Sequence, residues 1–498
     1  MNRSFYLLLL CAVAPLAGCD SSRAPSFSLS EQSDELSGFA QEKVQGELES
    51  GFGTPSNLVV WPQLEVDFGQ YSGKIAKVGP KNILRIGEPP ADNDSGETEP
   101  ADDSVYDGLV AVSKLANASR LDDLRGAAIV VSRAKTAADD GGNKESGADG
   151  SEEAVAETAP EVYRVASYDV DSQKLSVVDA NGSPVQLDVS AGDTVQIFGS
   201  ELQRGRNLYL RHCMHCHGVS GDGAGPTAQY FRVKPRDYRQ GKIKFTSTKT
   251  GVRGSREDIY RIIKLGVPGT YMPSFMLLPD DEAKAIGEYV RWLSMRGEME
   301  RKLNAWLSLG YSKKALSDAE EPESEIQAEF DEEWAADASE NISAYGEELQ
   351  VDWQEAEKVE SIVNPTMPRV PSSAESISRG REIFLNPKKG ACFSCHGETG
   401  RGNGPSTEGF NDVPGQPGTK SDIPGLFDDW GNSIKPRDLT TGVFRGGRRP
   451  IDIYRRIHSG IKGTPMQQFG TTLKEEGQIW DVVNYVLSIP FEDKQGGH

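Results

Sequence analysis

The chain has 498 residues, a formal net charge of −21 and 37% hydrophobic residues. Its length suits about three domains at roughly 100–200 residues each, and its acidic balance excludes a nucleic-acid-binding protein held by phosphate contacts. The hydrophobic fraction is low for one compact globule, so part of the chain is expected to be loop or disordered.

Residues 1–18 have the build of a signal peptide: Arg3 gives a positive start, and Phe5 to Leu16 is an apolar run too short to span a bilayer comfortably. Leu16-Ala17-Gly18-Cys19 resembles a bacterial lipoprotein lipobox. The resemblance implies cleavage before Cys19 and lipidation of that residue, with acyl chains entering lipid at about 0.8 kcal/mol per buried CH₂. An ordinary signal peptide with an incidental Cys19 is the alternative. Asp20 follows, which in enterobacterial lipoproteins tends to retain the protein at the inner membrane. No other long apolar run is present, so no transmembrane helix is expected after cleavage. Residues 19–56 are polar and suggest a lipidated tether.

Residues 57–200 suggest a small β-rich domain. Short β-like runs occur at Leu58 to Trp61, Ile83 to Ile86, Ala128 to Val131, Val162 to Val165, Leu175 to Val178 and Val195 to Phe198, and Asn181-Gly182 is a hairpin signal. Acidic Ala/Gly/Ser-rich insertions near Pro90 to Ser104 and Lys135 to Pro160 are expected to be disordered. The region has no His or Cys, so docking is a better reading for it than catalysis.

Six cysteines occur in the chain. Cys11 belongs to the signal and Cys19 to the lipobox. The other four form Cys213-Met-His-Cys216-His217 and Cys392-Phe-Ser-Cys395-His396. C-x-x-C-H is the attachment signature of a c-type haem. Two thiols add across the vinyl groups of one haem, and the adjacent His is held under the iron. Zinc would explain two Cys pairs but not a His after each. A thioredoxin-like pair would need a βαβ setting.

Both motifs sit in copies of one pattern. Arg204-Gly205-Arg206-Asn207-Leu208-Tyr209 answers Arg379-Gly380-Arg381-Glu382-Ile383-Phe384. Gly221, Gly223 and Gly225 answer Gly400, Gly402 and Gly404, and Lys234-Pro235-Arg236-Asp237 answers Lys435-Pro436-Arg437-Asp438. Ile259-Tyr260-Arg261 answers Ile453-Tyr454-Arg455, and Gly269-Thr270-Tyr271-Met272 answers Gly463-Thr464-Pro465-Met466. A closing helix is predicted in each copy from Ile286, Tyr289, Val290, Leu293 and from Val482, Tyr485, Val486, Ile489, both spaced i, i+3, i+4, i+7. Each copy resembles a class I cytochrome c domain. The resemblance implies two mainly α domains, 201–301 and 375–498, in which crossing terminal helices enclose a haem and a methionine after the Gly-Thr turn is the sixth iron ligand.

On that resemblance the iron ligands are His217 with Met272 and His396 with Met466, and the attachment residues are Cys213, Cys216, Cys392 and Cys395. Met276 is the runner-up at the first haem. A His/Met pair fills both axial positions and raises the potential. His458 has Lys264 at its place in the first copy, so an exposed or capping role is expected for it, and His212 and His215 are expected to be solvated. Arg236 and Arg437 suit haem propionates, or alternatively pair with Asp237 and Asp438.

Between the repeats, 302–374 is expected to be an acidic linker: Asp318 to Glu360 carries 17 acidic residues and one basic, Lys358. Trp306, Trp334 and Trp353 leave room for packed helices there. Glu201 to Lys302 nets +8. Such a basic face suits an acidic redox partner, unless the linker folds back over it. The insertion Asn411 to Gly431 suggests a surface loop or a partner contact. Together these readings give a multidomain exported protein, lipid-anchored on the periplasmic face of the cytoplasmic membrane, with two covalent haem c groups. It would transfer electrons in a respiratory chain, as a relay or as a subunit of a larger redox complex with protein partners. The alternative is a dihaem cytochrome c peroxidase-type enzyme, which needs an open coordination site.

Overall fold

The computed structural model describes residues 26–61, 64, 66–79, 83–86, 109–112, 128–132, 163–169, 174–178, 183, 185, 194–414 and 419–492. The signal, Cys19, both acidic insertions and the Asn181-Gly182 turn lie outside the described residues.

From residue 26 the segment expected to be a tether is packed. Helix α1 (Gly38–Phe52) starts where the Ser37 hydroxyl accepts from the Ala40 amide and ends at Gly53, φ +75°. Its Ala40, Val44, Leu48 and Phe52 recur every four residues and are all buried. That stripe is diluted by polar neighbours, which is why the segment looks featureless in sequence. A two-residue hairpin follows, β1 (Gly53–Thr54) with β2 (Asn57–Leu58), so only the first residue of the Leu58 to Trp61 run is strand.

Seven strands come next: β3 (Gln70–Gly79), β4 (Ile83–Ile86), β5 (Leu109–Val112), β6 (Ala128–Ser132), β7 (Tyr163–Asp169), β8 (Lys174–Val178) and β9 (Thr194–Phe198). They pair in the order β3-β4-β5-β8-β7-β6-β9, and β9 returns to β3 with Gln70 opposite Phe198. Only β4 and β5 are parallel. Five of the β-like runs fall on these strands. β3 and β5 were not expected; β3 carries Gly73, Lys74 and Lys77 among its apolar residues and has no clean alternation.

The two repeats share one framework. In the first, α2 (Ser200–His212) crosses α5 (Asp280–Tyr311); in the second, α8 (Ala374–Leu385) crosses α11 (Glu476–Glu492). Glycine makes each crossing possible. A Cβ on Gly205 would lie 2.1 Å from the Ala285 carbonyl oxygen, and one on Gly380 would lie 2.0 Å from that of Asp481. Tyr209 packs edge-on to Tyr289 at the first crossing and Phe384 edge-on to Tyr485 at the second. The attachment turns α3 (Met214–His217) and α9 (Phe393–His396) follow, and α4 (Arg256–Leu265) and α10 (Pro450–Ser459) close the cores with Ile259, Ile263, Ile453 and Ile457. Each such side chain, fully buried, contributes about 1.5–3 kcal/mol.

The acidic linker is not a solvated tether. α5 runs on beyond the repeat, a short α6 (Lys313–Asp318) turns the chain, and α7 (Glu323–Glu355) comes back antiparallel to α5. Phe330 meets Tyr311, and Trp353 Nε1 donates to Glu298 at 2.8 Å. Phe330, Trp334, Ala338, Leu349 and Trp353 form the buried stripe. Acids of α7 and of the turn after it reach back to the first repeat: Arg253 to Asp352 (3.1 Å), Arg291 to Glu357 (2.9 Å), and Lys302 to Glu348. A strand pair β10 (Leu426–Phe427) and β11 (Ser433–Ile434) holds the Asn411 to Gly431 insertion. Among the described residues, no helix is long and apolar enough to cross a membrane.

Candidate haem sites

The first site grows from the turn after α2. The His217 and Cys216 amides donate to the Cys213 carbonyl at 3.0 and 3.1 Å, which turns both thiols and the imidazole toward one cavity. Gly225 lies so close to this turn that a Cβ would be 2.5 Å from the Met214 carbonyl oxygen. His217 Nδ1 donates to the Arg236 carbonyl at 3.1 Å, and its ring stacks on Tyr238 at 4.8 Å. With Nδ1 engaged, Nε2 keeps the lone pair that a metal would take. Burial pulls the imidazole down to about 4, so it is neutral at ordinary pH, and burial pushes the Cys213 thiol up to about 12. Met272 lies on the wall of the same cavity; its amide donates to Thr270 Oγ1 (3.1 Å) and its carbonyl accepts from Val267 (3.1 Å). The cavity is about 400 Å³ and is walled by apolar side chains such as Ile259, Ile263 and Val290.

The second site repeats this chemistry in about 270 Å³. The His396 amide donates to the Cys392 carbonyl at 2.9 Å, and His396 Nδ1 donates to the Arg437 carbonyl at 3.3 Å. Burial lowers His396 and pushes Cys392 up to about 12. Met466 shares the cavity with Cys392, Cys395 and His396, and its amide donates to Thr464 Oγ1 at 3.3 Å. Two thiols, a neutral imidazole and a thioether on one apolar cavity fit a covalently held haem in each repeat. Among the described residues, no three His, Cys, Asp or Glu side chains converge as a metal cage.

The remaining candidates separate clearly. Met276 is 58% exposed and lies off the first cavity. His458 is half-buried in the last turn of α10, beside Ser459 Oγ (3.2 Å), and does not line the second cavity. His215 is exposed, as expected, at the edge of the first cavity, whereas His212 is partly buried on that cavity and stands edge-on to Phe275. Arg236 and Arg437 line their cavities but do not pair with the neighbouring aspartates, since Arg239 takes Asp237 and Thr440 takes Asp438. Arg236 lies flat on Trp430 at 3.6 Å, and Arg437 donates to the Val443 carbonyl at 2.8 Å.

Sequence reasoning missed the junction. Lys244, Phe245 and Arg445 line both cavities, so one wall serves both. The insertion expected on the surface clasps the first repeat there: Trp430 covers Arg236, Asp428 takes Lys244 at 3.0 Å, and Asp429 takes Lys242. Arg261 bonds Asp452 at 2.7 Å, Thr250 Oγ1 donates to the Ser459 carbonyl at 2.9 Å, and Lys462 donates to Thr248 Oγ1 at 2.6 Å. The signal available was register. Lys244 and Arg445 each stand ten residues after the Lys of Lys-Pro-Arg-Asp.

Comparison with known proteins places a family on each site. The family model described as cytochrome c oxidase, cbb3-type, subunit III matches residues 200–290, and the cytochrome c model matches residues 377–490. A solved chain of the Kuenenia stuttgartiensis reducing HAO-like protein complex is similar at 26% identity, over 57% of this chain and 95% of its own, with a TM-score of 0.40. The search of curated proteins gave no match.

Proposed function

We propose that this chain, a dihaem cytochrome c, relays electrons between two covalent haem c groups in a membrane-associated respiratory chain, on its own or as a subunit of a larger redox complex. The observation that carries the reading is the pairing, on each cavity, of a His whose Nδ1 is tied to a carbonyl with a Met held by a Gly-Thr turn. Cys213, Cys216, Cys392 and Cys395 would form the thioethers; His217 with Met272, and His396 with Met466, would hold the irons. Bound this way, haem supplies a one-electron couple at raised potential. The protein supplies a dry cavity, a neutral imidazole and a wall shared between the sites.

A redox partner would dock at the first site. Tyr271 stacks on Phe231 at 4.5 Å next to Met272 and is 61% exposed; Tyr230 and Leu277 are exposed near it, with Arg232 and Lys234 at the rim. An apolar centre with a cationic rim suits an acidic redox partner. The β-rich segment 57–200 is the docking unit in this reading. Cys19 carries the lipid that holds the exported chain to the periplasmic face of the cytoplasmic membrane.

Optical spectra of the purified ferric and ferrous protein, with and without carbon monoxide and peroxide, test the reading. It expects two low-spin haems, a methionine–iron band in the ferric form and no binding of either ligand. A haem that binds carbon monoxide and turns over peroxide would instead make the protein a peroxidase-type enzyme and remove Met272 or Met466 from the ligands.

A further inference from the structure

We infer that Lys244 and Arg445 form one cationic cradle that takes propionates from both haems, so that charge at either haem sets the potential of the other. The inference rests on the haem sites proposed above and adds a specific coupling between them.

The two residues hold equivalent places in the two repeats, and each lines its own cavity and the other one. The structure holds them in place from behind. Phe245 sits against Gly446, where an added Cβ would lie 2.6 Å from its ring, and the φ of Gly446 is +75°. The Arg445 carbonyl accepts from Arg456 at 2.6 Å.

Their charge is under-compensated. Arg236 and Arg445 both bear on Lys244, and Arg437 bears on Arg445. Against these four cations the junction sets Asp428, which bonds Lys244 at 3.0 Å, while Asp237 and Asp429 act on Arg236 but are already bonded to Arg239 and Lys242. Arg437 is spent on the Val443 carbonyl and Thr441 Oγ1, while Arg236 stacks its face on Trp430, which leaves its N–H edge open. Arg445 differs, because its Nε is buried with no hydrogen-bond partner. A buried N–H of a cation left unmade costs more than an ordinary lost hydrogen bond. Burial and the neighbouring cations also pull Lys244 down to about 8. Both features call for an anion on the cavity side, and a planar carboxylate is what an Arg fork binds best. Haem brings two carboxylates to each cavity. Arg437, singled out in the sequence, is then secondary to this pair, and Arg236 serves the first cavity beside it.

The test is an optical redox titration of the full-length holoprotein, wild type against Arg445→Leu and Arg437→Leu. Arg445→Leu is expected to lower both midpoint potentials, because one cation is lost from both sites, whereas Arg437→Leu lowers one. Arg445→Lys keeps the charge and is expected to restore both potentials most of the way. If Arg445→Leu loads haem poorly, Lys244→Met is read in the same way. A shift confined to one haem, or no shift, overturns the cradle. Those outcomes leave the relay standing, since the relay is tested separately by the spectra, where an open coordination site would overturn it.

Discussion

The two haem domains build the same site inside different surroundings. The first is embedded: α5 carries its core onward into a hairpin with α7, and α1 packs along the same helix, so one apolar cluster runs from Phe27 to Trp353. The second has a separate core, ending at α11, and meets the first across charged and polar contacts, Arg261 with Asp452 and Lys244 with Asp428 among them. The site is therefore specified by the short repeat itself, and the added elements decide how firmly each copy is held. A scaffolded domain beside a clasped one suits a relay whose haem spacing is set at a polar junction.

Removing one proposed iron ligand should separate the two sites most strongly. Met466→Ala is expected to open one of the two sites, halving the methionine–iron band and giving carbon monoxide binding at one haem per chain; Met272→Ala does the same at the first. Optical titration with carbon monoxide reads the stoichiometry, and binding at both haems or at neither would refute the assignment.

Next is the asymmetry of support. Trp353 is fully buried between α5 and α7 and bonds Glu298. Trp353→Ala should cost about 3–5 kcal/mol, seen in urea unfolding of the first domain, with the second-domain transition in place. A common shift of both transitions would mean that the two cores unfold as one.

The crossings offer a matched pair. Gly205→Ala and Gly380→Ala each drive a methyl into a carbonyl oxygen, with an expected cost of about 1–3 kcal/mol each. Melting followed at each haem band should show equal losses in the two domains. A neutral result at either would mean that its helices can part without penalty.

The junction differs from both cores in its dependence on pH. Burial drops Lys462 from 10.5 to about 7. Between those values the unfolded chain holds a proton that the folded chain has released, so stability rises with pH across about 7 to 10.5 and does not change below it on this account. Lys462→Gln should flatten that slope in urea midpoints measured across the window; an unchanged slope would assign it to other groups.

Much of the site is legible in sequence because covalent chemistry constrains it. Thioether formation fixes C-x-x-C-H, the carbonyl that receives the imidazole fixes Lys-Pro-Arg-Asp, and the turn that presents Met272 or Met466 fixes Gly-Thr. The helical scaffold is legible only in part. Val44 and Leu48 in α1, and Phe330 and Trp334 in α7, do follow helical spacing, but they are thinly spread through polar or acidic stretches whose composition points to solvent. The junction is the least legible, since Lys244 and Arg445 look like surface cations until both cavities are seen to share them.

Electrons are proposed to cross between the haems within one chain. The direct measurement is rapid photoreduction of one haem in the ferric protein, followed by the spectral change as the electron redistributes. The rate is expected to be independent of protein concentration and altered by Arg445→Leu. A rate that rises in proportion to concentration would mean that the electron moves between molecules, and the shared wall would then not be the path.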